Sequence, residues 1–163
     1  MAYIPVTFPA DKKGLYALLL EQLKLYVDKE EDQIATLCNA SAVLNDALEA
    51  VNWIGFYRVS GDELVLGPFQ GRAAVSHIAP GKGMCGKAVE LKETQVAADV
   101  HCYDGYIACD AETRSEIVVP LMSAEGKVLG VLDIDSPVSN RFDADDKAGL
   151  ESIAAYLVEK LTK

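Results

Sequence analysis

Glu116-Ile117-Val118-Val119-Pro120-Leu121-Met122 and Lys127-Val128-Leu129-Gly130-Val131-Leu132-Asp133-Ile134-Asp135 are two apolar, β-rich runs separated by a turn through Ala124-Glu125-Gly126. That spacing predicts a hairpin, so the two runs should pair antiparallel. Side chains alternate along a strand, which places Leu129, Val131, Asp133 and Asp135 on one face, with the two carboxylates roughly 7 Å apart. Glu116 opens the neighbouring strand. An apolar face that ends in two carboxylates reads either as a pocket wall or as an exposed strand end leading into Ser136-Pro137.

A second hairpin lies upstream. Residues 53–60 and 63–66 are strand-like and are joined by Gly61-Asp62. Trp53 and Tyr57 share a face of the first strand, about 13 Å apart. Helical spacing surrounds this β material, over residues 11–50 in two helices and 143–162 in a third. The first should bury Leu15, Leu18, Leu19, Leu23 and Tyr26, and the second Ile34, Leu37, Ser41, Leu44 and Leu48. The last should bury Leu150, Ile153, Ala154, Leu157, Val158 and Leu161, with Asp143 as its cap. Antiparallel hairpins covered on one sheet face by terminal helices define an α+β fold. No linker, repeat or low-complexity tract divides residues 1–163, which read as one domain.

Half of the 163 residues are apolar and a quarter are charged, a globular composition. Fifteen basic against twenty-five acidic residues leave a net charge of -10, which disfavours nucleic acid and anionic membrane as partners. The longest apolar run, Leu15-Tyr16-Ala17-Leu18-Leu19-Leu20, is too short to span a bilayer. Met1-Ala2-Tyr3-Ile4-Pro5 lacks a secretory signal pattern, so a cytoplasmic location with reduced cysteines is expected.

Three of the four cysteines fall in the irregular, Gly-rich stretch 80–109. Gly81-Lys82-Gly83-Met84-Cys85-Gly86 fits the dinucleotide pattern G-x-G-x-x-G, with Asp99 downstream. Pro80, the short helix over 84–91 and the antiparallel flanks argue against that reading. His77, Cys85, His101, Cys102 and Cys109 have no regular metal-ligand spacing, so no metal and no cofactor are expected. Cys38 lies beside Leu37 and reads as a small core hydrophobe. Cys85 opens a short helix, where backbone N–H groups favour a thiolate. Cys109 lies in a loop, either as a reactive thiol or as a buried bystander.

Asn52-Trp53-Ile54-Gly55-Phe56-Tyr57, Gly67-Pro68-Phe69-Gln70-Gly71, Gly83-Met84-Cys85-Gly86, Asp99-Val100-His101, Ile107-Ala108-Cys109-Asp110, Ser115-Glu116-Ile117-Val118-Val119-Pro120 and Gly130-Val131-Leu132-Asp133-Ile134-Asp135-Ser136 together resemble the GAF-domain free methionine-(R)-sulfoxide reductases. The resemblance runs in order over nearly the whole chain. It implies a six-stranded antiparallel GAF-like sheet, with the N- and C-terminal helices on one face and a small ligand pocket on the other. It also implies an enzyme that reduces free methionine sulfoxide, as a homodimer, with thioredoxin as reductant. On this resemblance Cys109 is the attacking cysteine and Cys85 a partner cysteine, while Trp53, Tyr57, Glu116, Asp133 and Asp135 line the substrate pocket. The sequence departs from the family at Val75, where many members carry a further cysteine, at Cys102, and at Tyr106, which replaces a frequent His.

Reduction of a sulfoxide needs a nucleophile at sulfur and a proton for the oxygen. Cys109 has Asp110, Glu112 and Glu116 near it in sequence, and Arg114 as the nearby cation. Crowding of Glu116, Asp133 and Asp135 should raise at least one carboxyl pKa and leave a neutral acid. The alternative is a non-enzymatic GAF sensor for a small molecule such as a cyclic nucleotide, or a structural dimerisation module. Three acidic residues suit an amine-bearing ligand better than a phosphate.

Overall fold

The computed structural model describes residues 3–108 and 110–163. In chain order the elements are α1 (Lys12–Val27), α2 (Gln33–Ala47), β1 (Trp53–Ser60), β2 (Glu63–Gly71), β3 (His77–Ile78), α3 (Gly83–Leu91), β4 (Gln95–Ala97), a 3-10 turn (Val100–Cys102), β5 (Ser115–Met122), β6 (Val128–Ser136) and α4 (Ala144–Leu161). The six strands form one sheet in the order β3-β2-β1-β6-β5-β4, and every neighbouring pair is antiparallel. The α+β class and the six-stranded sheet expected from the sequence are both present.

The central strands are buried on both sides over most of their length, so they are largely apolar instead of alternating, with Glu116, Asp133 and Asp135 as buried exceptions. Ile54, Phe56, Ile117, Val119, Leu121, Leu132 and Ile134 face a core shared with α1, α2 and α4. Trp53, Tyr57, Val118 and Val131 face a second, smaller core shared with α3. The sheet therefore divides the molecule, with three helices behind it and one in front.

Two prolines lie inside strands, and both positions tolerate them. Pro120 falls on β5 beyond the end of β4, which pairs only with Glu116, Ile117 and Val118. Pro68 lies in a bulge, where β2 spends one residue more than β1 between the Gly55–Phe69 and Tyr57–Leu66 pairs. Past that bulge β2 runs on to Gly71, beyond the end at residue 66 expected from the sequence.

The helix faces differ from the expected stripes. In α1 the buried residues are Tyr16, Leu19, Leu23 and Val27, while Leu15, Leu18 and Tyr26 are half-buried. In α2 the inward side is Thr36, Leu37, Ala40, Ser41, Leu44 and Ala47, and Ile34 is exposed. Cys38 is a correction: it is exposed and not a core residue. It follows Leu37, and one helical step turns a side chain by about 100°. In α4 the expected face is buried except for the half-buried Leu161, and Asp143 caps the helix in a capping box with Asp146.

The rotation of α1 has a visible cause. Asp146, 1 % exposed, accepts hydrogen bonds from Tyr16 Oη (2.8 Å), Arg141 Nη1 (3.1 Å), Lys12 Nζ (2.5 Å) and the Asp143 amide (2.9 Å). The Tyr16 ring crosses α4 at Gly149, where a Cβ would collide with it. Burial, followed by the Asp146 charge, raises the Tyr16 phenol well above its ordinary range. Removing Asp146 leaves the Tyr16 phenol without its acceptor and Arg141 without its carboxylate, while Lys12 keeps Asp143. Asp146→Ala should lower stability by about 2–4 kcal/mol, read as a lower urea midpoint at unchanged m-value.

Candidate active site

Strand register builds the site. Trp53 pairs with Asp135, Asp135 with Glu116, and Glu116 with Ala97, so these four form one row across the front face of the sheet. The next row is Gly55, Asp133 and Val118, followed by Tyr57 and Val131. Neighbouring strands are about 4.8 Å apart, so three carboxyl groups from β5 and β6 converge beside an aromatic wall from β1. All three are buried, with Glu116 at 6 % and Asp133 and Asp135 at 5 % exposure. The exposed-end reading of Asp133 and Asp135 therefore fails, and Asp133 lines a small cavity.

The aromatic wall depends on two glycines. Trp53 stacks on Tyr57 (centroids 6.0 Å apart) and on Phe69 (5.2 Å). A Cβ at Gly55 would meet Phe69 and come within 2.7 Å of the Trp53 ring, and one at Gly71 would lie 2.6 Å from it. Gly71 also has φ +137°, a backbone region that favours glycine. Trp53 Nε1 donates to the Arg72 carbonyl (3.1 Å) and Tyr57 Oη to the Val75 carbonyl (2.8 Å). The indole and phenol are thus held at both ends.

The first turn of α3 roofs the carboxylates. Gly83, at φ +59°, begins the helix and packs beneath Ile107. Cys85 follows in the first turn, 4 % exposed, and its thiol donates to Asp133 Oδ2 at 3.4 Å. Tyr57, Met84, Cys85, Ile107, Glu116 and Asp133 help to enclose a cavity of about 20 Å³. That is room for the centre of a single water, so an amino acid enters only if the roof moves.

Electrostatics in this enclosure run against ionisation. Burial pushes the Asp133 carboxyl up to about 6, partly offset by its contacts with Glu116 and the Cys85 thiol. Burial also raises Asp135 well above the usual carboxylate range, helped by the charges of Asp133 and Asp110. Asp133 Oδ1 and Asp135 Oδ1 are buried with no hydrogen-bond partner among the described residues. The Cys85 thiol is driven well above its ordinary value, first by burial and then by Asp133 and Glu116. This corrects the expected thiolate. The helix N-terminus is present, but burial among carboxyl groups outweighs it.

Trp53, Tyr57, Cys85, Glu116, Asp133 and Asp135 are therefore brought together on one face. Cys109, expected as the nucleophile, lies outside the described residues. Its sequence neighbours reach the site, since Ile107 lines the cavity and the Asp110 charge acts on Asp135. The His77, His101 and Cys102 set does not assemble: His77 pairs with Glu63 (3.0 Å), His101 with Asp99 (2.9 Å), and all three are exposed. Among the described residues, the group whose ligand atoms do gather is Cys85, Glu116 and Asp133, all within 4.8 Å of one another. Tyr103, Met84 and Ile107 also belong to the site and were missed. Tyr103 donates to Gln95 Oε1 (3.1 Å), and its phenol is raised by burial, Glu116 and Cys85. Tyr103 and Ile107 come from an irregular stretch with no strand or helix period to mark a facing side, and Met84 from a helix too short to show one clearly.

Residues 29–159 match the GAF domain family. The chain is 45% identical over 151 residues to the free methionine-R-sulfoxide reductase of Escherichia coli, covering 93% of this chain and 91% of that protein. It is 47% identical over 150 residues to the enzyme of the same name from Saccharomyces cerevisiae, covering 85% and 83%. The X-ray structure of free methionine-R-sulfoxide reductase from Neisseria meningitidis in complex with its substrate superposes with a TM-score of 0.91 at 41% identity, over 96% of this chain and 95% of that one. A match over most of the chain, the same six-stranded sheet and these relatives agree: the chain belongs to the GAF domain family and to its free methionine-R-sulfoxide reductase group.

Proposed function

We propose that this protein reduces free methionine-R-sulfoxide to methionine, acting as a single-domain homodimer in the cytoplasm with thioredoxin as reductant. The observation that carries the reading is the trio of buried carboxyl groups beside the Trp53–Tyr57–Phe69 wall, with Asp133 and Asp135 oxygens that have no partner among the described residues. A free amino acid answers such a site, because its ammonium pairs with a carboxylate while its apolar S-methyl end packs on the indole. No helix among the described residues is long and apolar enough to cross a membrane, which is compatible with the cytoplasmic assignment.

In the reaction, the Cys109 thiolate attacks the sulfoxide sulfur while a neutral carboxylic acid protonates the oxygen. Oxygen passes from the substrate to Cys109, methionine departs, and Cys109 is left as a sulfenic acid. The Cys85 thiol then condenses with it, forming a disulfide and releasing water. Asp133 is suited to both halves. At a pKa of about 6 it can give a proton to the oxygen, and its Oδ2 already accepts the Cys85 S–H. A dithiol reductant restores both thiols. Until the sulfenic acid forms, Cys85 stays protonated, which keeps it from competing for the substrate.

A thioredoxin-coupled assay tests the reading directly. The free R epimer should turn over while the S epimer and a peptide-bound form do not, and Cys109→Ser should lower the rate at least about 1,000-fold. Absence of turnover with reduced thiols, together with thermal stabilisation by a nucleotide, would favour the sensor instead.

Asp133 also makes the activity and the stability depend on pH. As the acid, it should impose a fall in kcat/KM as pH rises through about 6, a limb that Asp133→Asn should remove. An aspartate whose folded pKa lies above its unfolded value of about 3.9 stabilises the fold below that value and loses this contribution as pH rises through about 6. Asp133→Asn should therefore stabilise the protein at pH 8 by more than about 1 kcal/mol, with little effect at pH 4, as measured by urea unfolding.

A further inference from the structure

The pocket holds one donor set that an ammonium-bearing substrate does not use in full. Cys85 Sγ, a Glu116 oxygen and an Asp133 oxygen lie within 4.8 Å of one another, and all three residues are buried. Independently of that trio, Asp135, 5 % exposed, faces Glu116 across the β5–β6 pair and has Oδ1 without a partner among the described residues. Within the trio itself, Asp133 Oδ1 is likewise buried with no hydrogen-bond partner among the described residues.

The Cys85–Asp133 spacing fits a metal site. Zinc binds thiolate sulfur at about 2.3 Å and carboxylate oxygen at about 2.1 Å, so sulfur and oxygen on adjacent corners of a tetrahedron lie about 3.5 Å apart. Cys85 Sγ and Asp133 Oδ2 are 3.4 Å apart. The cavity, at about 20 Å³, admits a bare ion without the opening that an amino acid requires. One sulfur and two carboxylate oxygens also suit a borderline-soft cation better than Mg²⁺ or Ca²⁺, which take oxygen ligands.

We propose that the reduced pocket is a binding site for a soft divalent cation such as Zn²⁺ or Cd²⁺, held by Cys85, Glu116 and Asp133, and that the bound cation blocks the enzyme reversibly. On binding, the Cys85 thiol loses its proton to solvent and a sulfur–metal bond replaces the S–H···Oδ2 hydrogen bond. No electron is transferred. The cation relieves the crowding of the carboxyl groups, takes the place of the substrate ammonium, and masks Cys85. The blocking half rests on the reductase reading above, whereas the binding half does not.

The test uses the full chain carrying Cys38→Ser and Cys102→Ser, because those two exposed thiols would also capture metal. Reduced with a thiol-free phosphine, it is titrated with cadmium chloride and followed by the ultraviolet thiolate-to-cadmium band. One equivalent should bind, and free methionine should displace it. Adding Cys85→Ser should abolish the band, Cys109→Ser should leave it, and Asp133→Asn should weaken binding at least about 100-fold. A band that survives Cys85→Ser, or that needs Cys109 but not Asp133, overturns the proposal. A second measurement needs no pocket variant: Zn²⁺ should slow alkylation of Cys85 at least about 10-fold in the otherwise native pocket, read by peptide mass spectrometry, and an unchanged rate overturns the site. Binding without turnover of methionine sulfoxide keeps the metal site and removes the reductase reading. Turnover with no Cys85-dependent band does the reverse.

Discussion

Three carboxyl groups buried on one side of a sheet are the constraint around which the rest of the molecule is arranged. An isolated carboxylate loses most of its hydration on burial, so Asp133 and Asp135 hold their protons more tightly than exposed aspartates do. Such a cluster survives only on a rigid support. Asp133 and Asp135 sit on β6, which is paired on both sides, with β1 from Trp53 to Arg58 and with β5 from Ser115 to Met122. Behind β6, Leu132 and Ile134 are locked into the larger apolar core with α1, α2 and α4. The same strand therefore carries the stabilising burial on one face and the destabilising burial on the other.

Cys85 shows how neighbouring groups decide a thiol's chemistry. The first turn of a helix favours an anion by a fraction of a kcal/mol up to about 2 kcal/mol. Full burial beside Asp133 and Glu116 opposes it more strongly, and the thiol becomes a hydrogen-bond donor. The position of α3 serves two ends: it closes the cavity over the carboxylates and it presents this protonated sulfur to them. Gly83 makes that approach feasible, since its left-handed backbone starts the helix directly under Ile107.

The aromatic wall illustrates a different economy of design. Trp53 lies flat between Tyr57 and Phe69 only because Gly55 and Gly71 have no side chains to displace it. Its position is set by space left empty on adjacent strands and by one hydrogen bond to the Arg72 carbonyl.

Local patterns in the sequence were enough to define both central hairpins, the third terminal helix with its Asp143 cap, and the shared faces of Trp53 with Tyr57 and of Asp133 with Asp135. Those features follow from periods of two and 3.6 residues and from turn and cap chemistry, all of which act over a few residues. The outward turn of Cys38, the rotation of α1 around the Tyr16–Asp146 hydrogen bond, and the pairing of Trp53 with Asp135 involve partners far apart along the chain. Tertiary packing alone settled these, because interstrand register and helix crossing depend on which surfaces fit together. The state of Cys85 belongs to the same class: the sequence placed it at a helix start, and the fold placed that helix start over three buried acids.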